Sequence, residues 1–154
     1  MSSGLWLPFP IGIAQMVVQT TKDLFPIHRD PRARKPTELN EFYFVIDDIA
    51  EITASGSGIV IARELNEDPR LESKLTHNQL HQTNVVTIKH IDGTVARYQH
   101  VYARELQQGQ KIEQGERIGI LGGWGSRYGP HLHLEIYNDE SFKEQWKGRL
   151  DLPK

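Results

Sequence analysis

The sequence predicts an all-β fold, an antiparallel sheet folded over a groove, and three observations carry that expectation. Six short runs are rich in β-branched and aromatic residues, at 42–46 (FYFVI), 57–62 (SGIVIA), 84–90 (NVVTIKH), 94–101 (TVARYQHV), 111–121 (KIEQGERIGIL) and 131–137 (HLHLEIY), the composition of pleated, half-buried strands. Ile91-Asp92-Gly93 separates two of these runs and is a tight-hairpin signal, because such turns need a residue at positive φ. His131, His133 and Glu135 recur at every second position, so an extended strand turns all three to one face.

The first segment, MSSGLWLPFPIGIAQMVV, has no basic opening, and Pro8, Pro10, Gly12 and Gln15 interrupt its apolar residues; neither a signal peptide nor a membrane span is expected there. Residues 28–41 and 63–83 are polar and rich in charge and are expected as long surface loops that wall the groove, where functional residues commonly sit. Asn84–His90 and Thr94–Val101 are expected as antiparallel neighbours across the Asp92-Gly93 turn. Asn84 should make a turn hydrogen bond at the head of its strand, and Tyr98 should pack beside His100. Five glycines, at 119, 122, 123, 125 and 129, lead into 131–137 and let backbone pass close to a bound group. Beyond Asn138, Phe142, Trp146 and Leu150 fall at i, i+4 and i+8 behind Asp139, the pattern of a short amphipathic C-terminal helix with an N-cap.

The chain's 154 residues suit a single domain spanning 1–154, long enough to bury a core without disulfides or structural metal. A net charge of −2 and scattered Lys and Arg give no basic field to hold nucleic acid. There is no cysteine, so any metal has to be held by histidine and carboxylate. His131 and His133 would stand about 6 to 7 Å apart along a strand, a spacing that serves metal ligation and equally serves a packed pair.

The stretch GGWGSRYGPHLHLE resembles the Gly-rich turn and P-H-L-H-F/L-E motif of the lysostaphin-type (LytM-like) zinc endopeptidases that cut peptidoglycan peptides. NVVTIKHIDGTVARYQHV is similar to that family's hairpin, and LQQGQKIEQGERIGILGG to its following segment, so the likeness runs through residues 84–137. Carried over by position, the resemblance implies that His133 is a zinc ligand and that His100 and His131 are the catalytic histidines that handle protons and the developing oxyanion. Upstream, LPFPIGIAQMVVQTTKDLFPIHRD and FYFVIDDIAEITASGSGIV follow the order of a family variant with widely spaced ligands, which makes His28 and Asp47 the other metal ligands. Asp48 is the alternative to Asp47, since neighbours on a strand face opposite sides; Asp30 is a third candidate.

A rival pair, His77 and His81, would share a helical face; no HExxH glutamate accompanies it, and a polar loop accounts for both. His90 is read as structural, and Glu135 as either a partner of the ligand histidine or a structural salt bridge. The resemblance implies a Zn²⁺-dependent endopeptidase acting on peptidoglycan stem or cross-bridge peptides, at the cell wall or from a phage. The other reading is a catalytically degenerate binding or regulatory module of the same fold, without metal.

Overall fold

The computed structural model describes residues 4–9, 14–18, 41–46, 51–65, 84–121, 131–148 and 150–153. Ten strands follow one another: β1 (Ala14–Val18), β2 (Glu41–Ile46), β3 (Glu51–Thr53), β4 (Gly58–Glu64), β5 (Val85–His90), β6 (Val95–Gln99), β7 (Val101–Tyr102), β8 (Lys111–Ile112), β9 (Arg117–Leu121) and β10 (His131–Tyr137). They form a seven-stranded sheet in the order β1-β2-β10-β6-β5-β4-β8 and a three-stranded sheet in the order β3-β9-β7. Every pairing is antiparallel. The all-β expectation holds. Residues 28–40 and most of 63–83, the expected groove walls, lie outside the described residues.

The core follows from strand alternation. Leu134 of β10 pairs with Tyr98 of β6, which pairs with Val86 of β5, and the next apolar row is Ile136, Ala96 and Ile88. All six belong to one buried cluster with Ile52, Val60, Val101, Ile112 and Ile118, drawn from both sheets. The intervening rows, His133–Gln99–Val85 and Glu135–Arg97–Thr87, lie on the opposite face of the large sheet, since successive side chains alternate.

Two runs that read as single strands are each divided between the sheets. His100 adopts φ of 68°, a left-handed conformation uncommon outside glycine, so β6 ends in the large sheet and β7 begins in the small one. The 111–121 run breaks at Gly115, whose φ is 84°, into β8 of the large sheet and β9 of the small one. Tyr98 is consequently a core residue rather than a neighbour of His100 on an unbroken strand; its hydroxyl accepts a hydrogen bond from the Ser55 amide at 2.9 Å. Asn84 is also left-handed at 55°; in place of the expected turn hydrogen bond its carbonyl accepts from the Val101 amide at 3.2 Å, joining the open end of the β5–β6 hairpin.

The expected C-terminal helix is not formed: the described residues contain strands, turns and bridges but no helix. Asp139 does cap, but it caps a turn, accepting from the Ser141 amide at 2.8 Å. Phe142 then takes φ of 56°, which ends any helical path, and stacks edge-on against Tyr137 at 5.1 Å. The chain folds back beside β10, with the Trp146 amide donating to the Ile136 carbonyl at 2.8 Å. The apolar spacing of Phe142 and Trp146 thus serves contacts with a strand rather than one helical face. At the other end of the sequence, residues 4–9 lie against 150–153, joined by the Leu7 amide to the Asp151 carbonyl at 2.7 Å and the Asp151 amide to the Leu5 carbonyl at 2.8 Å.

The β5–β6 turn forms as its sequence requires, with Gly93 at φ of 97°. Asp92 Oδ1 accepts from the Thr94 hydroxyl at 2.6 Å and the Thr94 amide at 2.9 Å. With that hydroxyl donating to a carboxylate, its oxygen accepts from His90 Nδ1 at 2.8 Å, which assigns the proton to Nδ1 of a neutral ring. His90 is buried, and burial pulls its pKa from 6.5 to about 4 against the opposing pull of Asp92. As pH falls, the unfolded chain therefore takes up this proton before the folded chain does. The stability held by neutral His90 is whole above about 6.5 and drains away between about 6.5 and 4. The His90→Gln variant is expected to lose less stability than the parent between pH 7 and pH 4.5, by on the order of 2 kcal/mol in urea titrations; equal losses would refute this.

Gly58 opens β4 opposite His90, and a Cβ built there would lie 2.0 Å from the Lys89 carbonyl oxygen. The obstacle is backbone and cannot swing aside. The Gly58→Ala variant is expected to be destabilised by about 2 kcal/mol or more, in the range of overpacked cores, read as a lowered denaturation midpoint; an unchanged midpoint would show that β4 and β5 can part freely.

Candidate metal and catalytic site

β10 is the middle of the site because it is buried on both faces. Leu132, Leu134 and Ile136 enter the core, while His133, Glu135 and Tyr137 are buried on the other side. His133 stands opposite Tyr43 of β2 and Gln99 of β6. Its ring nitrogen Nε2 lies 3.3 Å from Glu135 Oε1, longer than a short charge-assisted hydrogen bond, which is about 2.7–2.9 Å.

Glu135 has no exposed surface. Besides His133, it receives the Tyr137 hydroxyl on Oε2 at 2.7 Å, Arg97 Nη1 on Oε2 at 3.4 Å and Gln99 Nε2 on Oε1 at 3.4 Å. Burial alone would raise its pKa. The hydrogen bond and charge of His133, the charge of Arg97 and the Tyr137 hydroxyl outweigh burial and hold the carboxyl well below the usual carboxylate range. A neutral histidine beside a buried carboxylate can keep a proton on one ring nitrogen and a lone pair on the other. Such a histidine is chemically suited to ligate zinc.

His100 directly follows Gln99, the register partner of His133, and is buried at 4% exposure. The left-handed turn at His100 thus places it at the junction of the two sheets, beside the His133 row. His131 begins β10, with Val45 of β2 as its register partner, and shares strand parity with His133. Three of the five residues singled out from the sequence are therefore gathered on or next to β10. The other two, His28 and Asp47, lie outside the described residues, as do Asp30, Asp48, His77 and His81. Among the described residues no three metal-binding side chains cluster.

Sequence reasoning named Glu135 but not the residues that hold it. Arg97, Gln99 and Tyr137 carried a signal in parity: 97 and 99 share one face of β6, and 133, 135 and 137 share one face of β10. Matching the two strands needed the register, which depends on where the left-handed break at His100 falls.

The sequence profile of peptidase family M23 matches residues 43–144. Among curated relatives, the peptidoglycan DD-endopeptidase ShyC of Vibrio cholerae serotype O1 is 36% identical over 85 residues, which is 55% of this chain and 17% of that protein. The chain thus spans under a fifth of that relative's length. Among solved structures, a zinc-containing peptidase from Vibrio cholerae superposes with a TM-score of 0.58 at 22% identity, over 97% of this chain and 41% of the other. The antimicrobial peptidase lysostaphin from Staphylococcus simulans superposes with a TM-score of 0.56 at 20% identity, over 73% of this chain and 43% of the other. These likenesses establish a shared fold, and the profile match across most of the sequence, with the H-x-H strand inside it, establishes that the chain belongs to peptidase family M23.

Proposed function

We propose that this chain is a zinc-dependent endopeptidase that hydrolyses peptide bonds in peptidoglycan stem or cross-bridge peptides. The observation that supports this reading is the buried His133, whose Nε2 lies 3.3 Å from the Glu135 carboxylate, with His100 following its register partner Gln99 and His131 two positions before it on β10. His133, His28 and Asp47 would hold the ion. Two neutral histidines and one carboxylate leave zinc a net positive charge and a position open to substrate. Zinc in such a site supplies Lewis acidity, polarising a carbonyl and making water nucleophilic near neutral pH.

The chain's own groups do the rest. The imidazoles of His100 and His131 take a proton from water, return one to the leaving amine and donate hydrogen bonds to the developing oxyanion. Tyr43 and Val45 of β2 pair with His133 and His131, and Asp47 follows Val45 by two positions in the sequence, the spacing that on an extended chain keeps one face. Asp48 has the opposite parity. A second reading, a binding module of the same fold without metal, is favoured by the long sequence interval between His28 and Asp47.

The chain is expected to bind one zinc per molecule, and His133→Ala to abolish that binding in elemental analysis. His131→Ala and His100→Ala should keep the metal and lose peptide hydrolysis by about 10²- to 10⁴-fold, the usual worth of proton transfer by a positioned side chain. Zinc retained in His133→Ala would overturn the ligand assignment, and a parent chain free of zinc would favour the binding module.

Parity also predicts that Asp47→Asn weakens zinc steeply while Asp48→Asn leaves it nearly unchanged, measured by competition with a chromogenic chelator. The reverse result moves the ligand to Asp48. Full zinc occupancy in a chain carrying His28→Ala, Asp47→Asn and Asp48→Asn together would remove the upstream ligands from the site.

A further inference from the structure

We propose that Asn84 is a positioning residue, whose left-handed backbone keeps His100 as the extra residue of a β-bulge and so sets the direction of that imidazole. The proposal rests on the reading of His100 as a proton-handling group.

Register reveals the bulge. β5 and β6 pair without a shift from Lys89–Val95 to Val85–Gln99, and one more level would set Asn84 opposite His100. The Asn84 carbonyl accepts from the Val101 amide at 3.2 Å, one residue beyond that partner. Asn84 and Val85 are thus matched by three residues, Gln99 to Val101, and His100 is the one left over. An extra residue of this kind bends its strand and re-aims a side chain, and such bulges are over-represented next to active sites. Parity shows what is changed. On an unbroken strand His100 would follow Ala96 and Tyr98 onto the core face, where both belong to the apolar cluster. Gln99, the register partner of His133, lies on the other face.

Both chains turn at this level, His100 with φ of 68° and Asn84 with φ of 55°. The extra residue is kept only if the opposing chain turns with it, because an extended residue 84 would carry β5 straight on and restore a one-to-one match with residue 100. The residue type suits that duty. Asparagine is enriched in the left-handed region over most residues with a Cβ, glycine enters it freely, and alanine and still more valine resist it. Asn84 has no exposed surface, so the turn is made inside the protein and not at a pliable edge.

Asn84→Gly, Asn84→Ala and Asn84→Val, compared with the parent chain, test this. For hydrolysis of a soluble cross-linked stem peptide, kcat should hold in Asn84→Gly, fall about 10-fold in Asn84→Ala and fall about 100-fold in Asn84→Val, the scale of a catalytic group displaced by an ångström. KM and zinc content should stay the same throughout. Denaturation midpoints should not follow that order, because glycine lowers stability through the unfolded chain while leaving the turn intact. Ring ¹H–¹³C signals of His100, identified by their loss in His100→Ala, should shift in the alanine and valine variants and stay near their parental positions in Asn84→Gly. Those of His90, at the other end of β5, should stay in place in all three. A loss of kcat in Asn84→Gly as large as that in Asn84→Ala overturns the proposal, since the side chain and not the backbone would then carry the effect. Parental kcat and parental His100 signals in folded Asn84→Ala and Asn84→Val overturn it as well. If those two variants do not fold, Asn84→Gly and the parent still decide: kcat lost in the first, or a Val101 amide that exchanges freely with solvent in the second, rejects the bulge as the device. A parent chain that hydrolyses no peptide removes the catalytic reading of His100, while the ring signals still show whether Asn84 directs it.

Discussion

A carboxylate shut away from water has to be compensated where it stands, and the buried Glu135 governs what its neighbours can be. Taking an ion out of water costs several kcal/mol even after relaxation, a large fraction of the net stability of a domain of this size. The cost is offset only because His133, Gln99, Arg97 and Tyr137 all reach the carboxylate. Register makes this possible. A slip of one residue between β6 and β10 would carry Glu135 to the core face, among Tyr98, Val86 and Ile88, and set the apolar row among Arg97 and Gln99 in its place. The polar and apolar rows therefore specify the same alignment independently, and that alignment brings the His133 row to Gln99 and, one residue on, to His100.

The two sheets are joined where the backbone leaves the extended region. His100 sits at φ of 68°, a conformation that strains a residue with a Cβ. Its neighbours are firmly anchored: Gln99 pairs with both His133 and Val85, and Val101 with Leu121. The kink is thus held from both sides, by one sheet before it and by the other after it. Strain of this kind concentrates where a side chain has to be aimed against the preference of its own backbone, which suits a residue whose value lies in its direction.

Much of this was legible in the sequence, and what was not has identifiable causes. Period-two runs and the Asp92-Gly93 turn are local signals, so β2, β4, β5, β6 and β10 were foreseen. Strands β1 and β3 carry weaker signals and were not. The division of 94–101 and 111–121 between sheets was hidden because one break falls at a histidine, a residue type that does not announce positive φ as glycine does. The C-terminal helix was mistaken because spacings of four also serve a chain doubling back on a strand, with Phe142 on Tyr137 and Trp146 bonded to Ile136. In the site, the H-x-H pair and Glu135 were visible as a parity pattern. The donors around Glu135 were not, because their proximity is a property of register between strands rather than of spacing within one.

The pairing of residues 4–9 with 150–153 has a consequence for how the chain is made. The Leu7–Asp151 and Asp151–Leu5 bonds join segments separated by nearly the whole sequence, and residue 8 also binds the small sheet through the Thr53 amide. A chain synthesised from its N-terminus cannot complete this seam until the last of these residues has left the ribosome. Closing so long a loop is entropically slow, and long-range pairings of this kind, here a parallel bridge between Trp6 and Asp151, delay folding more than they weaken the finished protein. The large hairpins can assemble while synthesis continues, but Leu5 and Phe9, which belong to the buried core, lie in a segment that remains without its 150–153 partner until then. During that interval the nascent molecule exposes the apolar surface of Leu5 and Phe9, and this seam is among the last contacts to be secured.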